Sequence, residues 1–188
     1  EFLDQNLEAI EYLKTYIERN PYSEIAWHQS GRLYYGLKDY ENAVRAFEFS
    51  TYIDEEFIGA FMEKGKALER LKKYDEAIES YERTIELDDP TSYALLRIGK
   101  CYEKLGNKVE ALKYFNKTVH EDPLLDKGWI AITDFYVRQK NFQKALYYVN
   151  KALAIDDQNR LYWKRFGNIN KAMGKFEEAE FGYRKAVE

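Results

Sequence analysis

The sequence predicts an all-α protein in which antiparallel helix pairs stack into an α-solenoid of about eleven helices. Steps of 34 residues from Ala111, in both directions, reach alanine every time. The same steps from Gly99 reach glycine at three of four positions, and the residue four before each is always large and apolar. A period of 34 residues, with apolar residues at i, i+3, i+4 and i+7 inside it, is typical of repeated pairs of amphipathic helices.

Each recurring position has a physical role. The alanine positions are Ala9, Ala43, Ala77, Ala111, Ala145 and Ala179, and the glycine positions are Gly31, Gly65, Gly99, Thr133 and Gly167. We expect small residues where the two helices of a pair cross closely, so that Gly99 faces Ala111. Proline falls at unit ends, at Pro21, Pro90 and Pro123, because it lacks an N–H group and restricts the preceding residue.

The same pattern places the helices in order along the chain. A single helix is predicted over residues 3–20. Five pairs are then predicted, at 24–37 and 40–53, 58–71 and 74–87, 92–105 and 108–121, 126–139 and 142–155, and 160–173 and 176–187. The connections are short, as antiparallel helix pairs require, and residues typical of turns, such as Gly106 and Asn107, fill them.

These positions resemble the tetratricopeptide repeat (TPR) family, whose 34-residue pattern runs from tryptophan through glycine and tyrosine to alanine, an aromatic residue and proline. Trp27, Gly31, Tyr34, Ala43 and Phe47 carry that pattern in the first complete unit. The resemblance covers essentially the whole chain and implies a right-handed superhelix. Threonine at position 133 and asparagine at position 170 depart from the pattern and predict looser packing there.

The repeat register also predicts the domain organisation. It gives a half repeat at 1–23, repeats at 24–57, 58–91, 92–125 and 126–159, and an incomplete repeat at 160–188. We expect one continuous solenoid. Because the sequence begins and ends within a repeat, we also expect a fragment of a longer array, with Tyr183 and Val187 partly exposed at its end and available for self-association.

Composition excludes several classes of protein. The net charge of −4 gives no overall attraction to nucleic acid or to an anionic membrane, so neither is an expected partner. No apolar run approaches the roughly 20 residues that span a bilayer. One cysteine, Cys101, permits no internal disulfide, which fits a reducing, cytoplasmic compartment.

The residues that usually carry enzyme chemistry are scattered. His28 and His120 lie in different repeats, and neither a Cys-x2-Cys pair nor a His-Glu-x2-His motif occurs. The glycines recur inside predicted helices rather than in a phosphate-binding loop. The sequence therefore predicts a protein that is not an enzyme, with no catalytic or metal-binding residues and no cofactor.

The TPR resemblance implies that the first helix of each repeat lines a concave groove. Its groove positions lie six, three and two residues before each glycine position and one, four and five after it. They contain eleven basic and four acidic residues. A groove charge of +7 in a chain of net −4 leaves −11 for the remainder. The predicted peptide-binding residues are Arg32, Tyr35, Lys66, Arg70, Tyr93, Arg97, Lys100, Lys104, Lys127, Arg138, Lys164 and Arg165.

This distribution predicts a non-catalytic protein–protein interaction scaffold that binds an acidic segment, extended or helical, in a basic groove. Two alternatives stay open: an RNA-binding helical-repeat module, and a structural spacer or assembly segment of a larger protein. Some TPR proteins grip the terminal carboxylate of chaperones with a Lys-Asn-Asn-Lys-Arg set. No register of this sequence reproduces that set, so such a clamp is not expected.

Overall fold

The computed structural model describes residues 2–188, with side chains from Glu8 onward, and contains only helices and their connections in that range. The helices are α1 (Phe2–Arg19), α2 (Glu24–Gly36), α3 (Tyr40–Ile53), α4 (Ile58–Arg70), α5 (Tyr74–Leu87), α6 (Ser92–Lys104), α7 (Lys108–Glu121), α8 (Asp126–Arg138), α9 (Phe142–Ile155), α10 (Arg160–Ala172) and α11 (Phe176–Lys185). The predicted all-α solenoid fold is confirmed. Every predicted helix is present, and the bounds differ by at most two residues.

The chain forms two compact units, unit 1 (Glu1–Pro90) and unit 2 (Thr91–Glu188). Unit 1 contains α1 and the pairs α2–α3 and α4–α5, whereas unit 2 contains the pairs α6–α7, α8–α9 and α10–α11. The boundary falls within one residue of a predicted repeat boundary. That the two units continue one solenoid stays a prediction.

Aromatic rings lie directly over the glycines of the first helices. A Cβ atom built on Gly99 would lie 2.6 Å from the ring of Phe115, and the same arrangement joins Gly31 to Phe47 and Gly65 to Tyr81. The nearest neighbours of such a Cβ atom belong to Phe115 and Tyr114, and these contacts leave the expectation that Gly99 faces Ala111 a prediction. A long helical side chain leans toward the N-terminus, so the ring covers the turn that carries the alanine.

In the pair α8–α9, the contact between a glycine and an aromatic ring is replaced by one between two side chains of intermediate size. Thr133 occupies the glycine position and Val149 occupies the aromatic position, and both are fully buried. The hydroxyl of Thr133 donates a hydrogen bond of 2.9 Å to the carbonyl of Trp129. A larger residue on one helix is thus accompanied by a smaller one on the other, and the pair is closely packed without a glycine.

Three tryptophans tie their helices to the preceding connection. Each indole Nε1 donates to the backbone carbonyl six residues earlier, at 2.9 Å from Trp27 to Pro21, 2.9 Å from Trp129 to Pro123, and 2.7 Å from Trp163 to Asp157. The connection is thereby held against the first helix of its repeat.

The turns inside the pairs repeat one backbone conformation every 34 residues. Positive φ occurs at Lys38, Lys72, Gly106, Lys140 and Gly174. At Lys140, where φ is 56°, the N–H group donates to the carbonyl of Val137 at 2.9 Å, which closes the end of α8. The left-handed conformation strains residues with a Cβ atom, so glycine is preferred after a helix.

Replacing Lys140 with glycine should therefore stabilise the protein by up to about 1 kcal/mol, since the strain is relieved. The matched control is Lys151→Gly in the interior of α9, which should destabilise by about 1 kcal/mol because glycine is a poor helix former. Urea denaturation of both variants measures the two effects. Equal destabilisation by both substitutions would contradict the role assigned to the left-handed turn.

Replacing Gly99 with alanine should destabilise the protein by about 1–3 kcal/mol, because the new methyl group overlaps the ring of Phe115. Gly36→Ala is the control, since a Cβ atom there has no neighbour within 4 Å. The double variant Gly99→Thr, Phe115→Val reproduces the α8–α9 arrangement and should be more stable than Gly99→Thr alone. Thermal unfolding checks this, and additive effects of the two changes would refute the proposed compensation.

Candidate functional site

Within unit 1, the first helices α2 and α4 are joined by polar side chains. The Nε2 atom of His28 lies 3.0 Å from a carboxylate oxygen of Glu63. The Nε atom of Arg32 lies 3.8 Å from the other oxygen. Farther along the same helices, Arg70 Nε donates a hydrogen bond of 3.3 Å to the hydroxyl of Tyr35. Arg32, Tyr35 and Arg70, all predicted site residues, thus lie at the junction of α2 and α4.

The carboxylate of Glu63 is the electrostatic centre of this junction. Burial of the carboxyl raises its pKa, whereas contact with His28 and the charges of Arg32 and Lys66 lower it. The lowering effects prevail, and the pKa of Glu63 lies below its ordinary value of 4.5. Glu63 is therefore a carboxylate at neutral pH and holds cations around it.

A cavity of about 250 Å³ opens at this junction. We call it the Glu63 pocket, and it is lined by Arg32, Tyr35, Gly36, Phe47, Glu63 and Lys66. Two cations and one carboxylate face it, beside two aromatic rings. A ligand carboxylate that entered would have to compete with Glu63 for Arg32.

Within unit 2, ion pairs join the first helices α6, α8 and α10. Glu103 on α6 forms an ion pair with Arg138 on α8. Asp134 on α8 accepts two hydrogen bonds from the guanidinium of Arg165 on α10, at 2.9 Å and 3.1 Å. A two-point contact of this kind fixes the plane of the guanidinium. These pairs identify one surface that runs across all three helices.

Helical spacing places further cations on that surface. Lys100 lies three residues before Glu103 on α6, and Lys127 lies two turns before Asp134 on α8. Lys104 is the exposed last residue of α6. Tyr93 is also there, with the guanidinium of Arg97 5.9 Å from its ring centre. We define the basic face of unit 2 as Arg97, Lys100, Lys104, Lys127, Arg138, Lys164 and Arg165.

The spacing of these contacts follows a rule that our sequence analysis did not use. Arg32 and Glu63 are 31 residues apart, as are Asp134 and Arg165, and Glu103 and Arg138 are 35 apart. The signal that would have found them is a pair of opposite charges separated by 31 or 35 residues. These separations are three fewer and one more than the period of 34. Such pairs join successive repeats, and their two members occupy different positions of the repeat.

Charge is divided between the two units. Unit 1 contains 11 Lys and Arg against 21 Asp and Glu, and unit 2 contains 18 against 12. The net charges are −10 and +6, which combine to the −4 of the whole chain. In unit 2 the first helices α6, α8 and α10 contain nine basic and three acidic residues. In unit 1 the first helices α2 and α4 contain four basic and three acidic residues.

A groove that runs along the whole chain, as the repeat pattern predicts, would bring Lys66, Arg97, Lys100 and Lys127 together in one patch. Lys66 belongs to unit 1 and the other three belong to unit 2. A patch that combines all four therefore stays a prediction, as does the groove charge of +7.

Groups that could support other activities are few in residues 2–188. No cluster of three or more His, Cys, Asp or Glu side chains that could hold a metal ion occurs among the described residues. Cys101 is fully buried in α6. Within the described range, none of the helices is both long enough and apolar enough to cross a membrane.

Comparison with protein families identifies the repeat. Tetratricopeptide repeat models match residues 25–57 and 62–125, which together make up about half of the chain. With eleven helices in the same register, this chain belongs to the tetratricopeptide repeat family. It is a helical-repeat scaffold for protein–protein interaction, and the modules of that family are generally not catalytic.

Solved structures show the same fold. PilW, described as a widely conserved type IV pilus biogenesis factor, matches with a TM-score of 0.78 and 20% identity, over 95% of this chain and 83% of PilW. YrrB, described as a TPR protein with an unusual peptide-binding site, matches with a TM-score of 0.69 and 17% identity, over 95% and 92% of the two chains. MamA from Desulfovibrio magneticus RS-1 matches with a TM-score of 0.76 and 17% identity, over 87% and 93%. Comparison with curated protein sequences finds no match.

Replacing Glu63 with glutamine should make stability less dependent on pH. Because the folded-state pKa of Glu63 lies below its unfolded value, the carboxylate stabilises the fold at neutral pH, and this contribution is lost as pH falls below about 4.5 and through the folded pKa. The difference in unfolding free energy between wild type and Glu63→Gln should therefore shrink on acidification. Urea titrations from about pH 7 to about pH 3 measure it, and two parallel curves would refute the assignment.

Proposed function

We propose that this protein holds an acidic segment of a partner protein on the basic face of unit 2. The observation that carries the proposal is the charge of α6, α8 and α10, whose nine basic residues stand against three acidic ones. A surface with such an excess of one sign raises the local concentration of ligands of the opposite sign. We place this activity in the cytoplasm, where the single thiol of Cys101 stays reduced.

Two kinds of cation on the basic face have different roles in this proposal. Arg138 and Arg165 are held by Glu103 and Asp134, so they join neighbouring helices and present their remaining N–H groups at fixed positions. Lys104, Lys127 and Lys164 are exposed, so they can turn toward a carboxylate. A ligand with several carboxylates would meet both kinds along its length.

Apolar side chains accompany these charges. Tyr93 is 43% exposed and Leu161 is 62% exposed, and they occupy the repeat positions that correspond to Lys127. Large apolar side chains in contact with water favour a partner that covers them. The proposed segment therefore combines acidic side chains with apolar ones.

The strength of such an interface comes from the number of contacts. A single exposed ion pair contributes about 0–1 kcal/mol, so no residue of the basic face suffices by itself. Complementary charge acts mainly on the rate of association and on the choice of partner. The Glu63 pocket, with Arg32, Tyr35, Lys66 and nearby Arg70, is a second and weaker candidate site, because Glu63 already engages its cations.

The double substitution Arg97→Glu, Lys100→Glu should weaken binding of an acidic ligand at least about tenfold, because like charges then face the ligand. A fluorescent peptide of alternating Glu and Leu serves as the probe, and anisotropy measures its binding. Lys144→Glu, Lys151→Glu on α9 is the matched control, with the same change in charge in the same unit, and should bind as the wild type does.

Three outcomes would decide between the alternatives. Equal loss in both double variants would show that only overall charge matters and would refute the basic face as the site. Failure of the wild type to bind the acidic peptide would favour a structural spacer. Tighter binding of a single-stranded RNA, with a steep dependence of log K on log salt concentration, would favour the RNA-binding alternative, because each phosphate contact releases counterions.

A further inference from the structure

We propose that one occupant of the basic face is a second copy of this chain, docked through the outer side of its helix α5. The inference uses the same face as the proposed function and adds the identity of an acidic partner. It starts from the opposite charges of the two units, −10 for unit 1 and +6 for unit 2. Two copies can pair unlike units, and a protein with this distribution attracts its own kind at low salt.

Helix α5 concentrates the negative charge of unit 1. Residues 75–89 contain seven Asp and Glu against a single basic residue, Arg83. Ala77, Ile78 and Tyr81 are buried, whereas Asp75, Glu76, Glu79 and Glu86 are exposed. The helix thus packs through one side and presents a row of carboxylates on the other.

The carboxylates of α5 follow one line along the helix. Asp75, Glu79, Glu82 and Glu86 are spaced by three or four residues, so they project from the same side. Eleven residues separate the first from the last, which corresponds to about 16 Å along a helix. A straight row of this length suits an array of cations better than a single pocket.

The basic face is likewise an array of cations. It crosses three first helices, α6, α8 and α10, which are joined by the ion pairs of Arg138 and Arg165. A helix laid across them can bring one carboxylate near each: near Lys100 or Lys104, near Lys127, and near Lys164.

The two surfaces differ from each other, so each copy uses one and leaves the other open. In such a heterologous contact, each copy that docks through one surface still has the other surface to offer to a further copy. Because the contact is between exposed charges, salt should weaken it strongly. The inference is therefore a reversible, salt-sensitive self-association of this chain.

The test uses two charge-reversal variants of the full chain. Glu79→Lys, Glu86→Lys removes the acidic surface, and Lys127→Glu, Lys164→Glu removes the basic surface. By sedimentation velocity at about 0.05 M salt, the wild type should associate increasingly with concentration. Each variant by itself should associate at least about tenfold more weakly. A mixture of the two should associate again, because the intact acidic surface of one variant meets the intact basic surface of the other.

Controls separate this proposal from its alternatives. Lys144→Glu, Lys151→Glu on α9 should associate as the wild type does, and circular dichroism checks that each variant is folded. If one is not, the neutral changes Glu79→Gln, Glu86→Gln and Lys127→Gln, Lys164→Gln replace the reversals and should each weaken wild-type association. The result is then read from each neutral variant alone.

Either of two results would overturn the inference: a wild type that stays monomeric at all concentrations in low salt, or folded charge-reversal variants that fail to pair when mixed. A monomeric wild type that still binds the alternating Glu and Leu peptide would leave the proposed function standing and refute only self-docking. Loss of both activities would refute the two proposals together.

Discussion

The contact between a glycine and an aromatic ring is the constraint on which the rest of this structure depends. In four helix pairs a Cβ atom on the glycine would lie 2.5–2.8 Å from the ring, closer than a side chain tolerates. The ring therefore occupies the space that the missing side chain leaves, and the two helices of a pair cross at short range. Because α2, α4, α6 and α10 are held in the same way, and α8 through the contact of Thr133 with Val149, we expect the opposite side of these helices to be the one that partners meet. The surface on which partners are expected to bind is a consequence of this internal contact.

On the first helices, the few acidic side chains make contacts that join neighbouring helices. Glu103 and Asp134 join neighbouring first helices in unit 2, Glu63 does so in unit 1, and Glu69 accepts a hydrogen bond of 2.6 Å from the hydroxyl of Tyr81. These side chains are partly exposed, so each contributes modestly to stability. Their larger effect is to orient the cations that they contact. The remaining basic side chains of unit 2 provide the charge excess that a ligand would meet.

The net charge of the whole chain does not show how charge is divided between the two units. A value of −4 argues against attraction to any polyanion, yet it is the sum of −10 in unit 1 and +6 in unit 2. Electric fields act over about 10 Å at moderate ionic strength, so a partner responds to the unit that it approaches and not to the whole chain. The proposed partner selection and self-association would therefore depend on each unit, and α5 and the basic face are the places where the two signs are most concentrated.

The sequence by itself determined the fold class, the helix bounds and the repeat register, because a period of 34 residues with strict small and aromatic positions admits one local structure. It also determined which residues occupy the same position in successive repeats, such as Arg32, Lys66 and Lys100. Only the tertiary structure decided which residues at different repeat positions contact each other. The ring of Phe115 lies directly over Gly99, since a helical side chain leans toward the N-terminus. Asp134 meets Arg165, 31 residues away, whereas Glu103 meets Arg138, 35 residues away. Periodicity carries no information about which of these offsets a pair adopts, and the division of charge becomes visible only once the structure places the boundary between the units at Pro90.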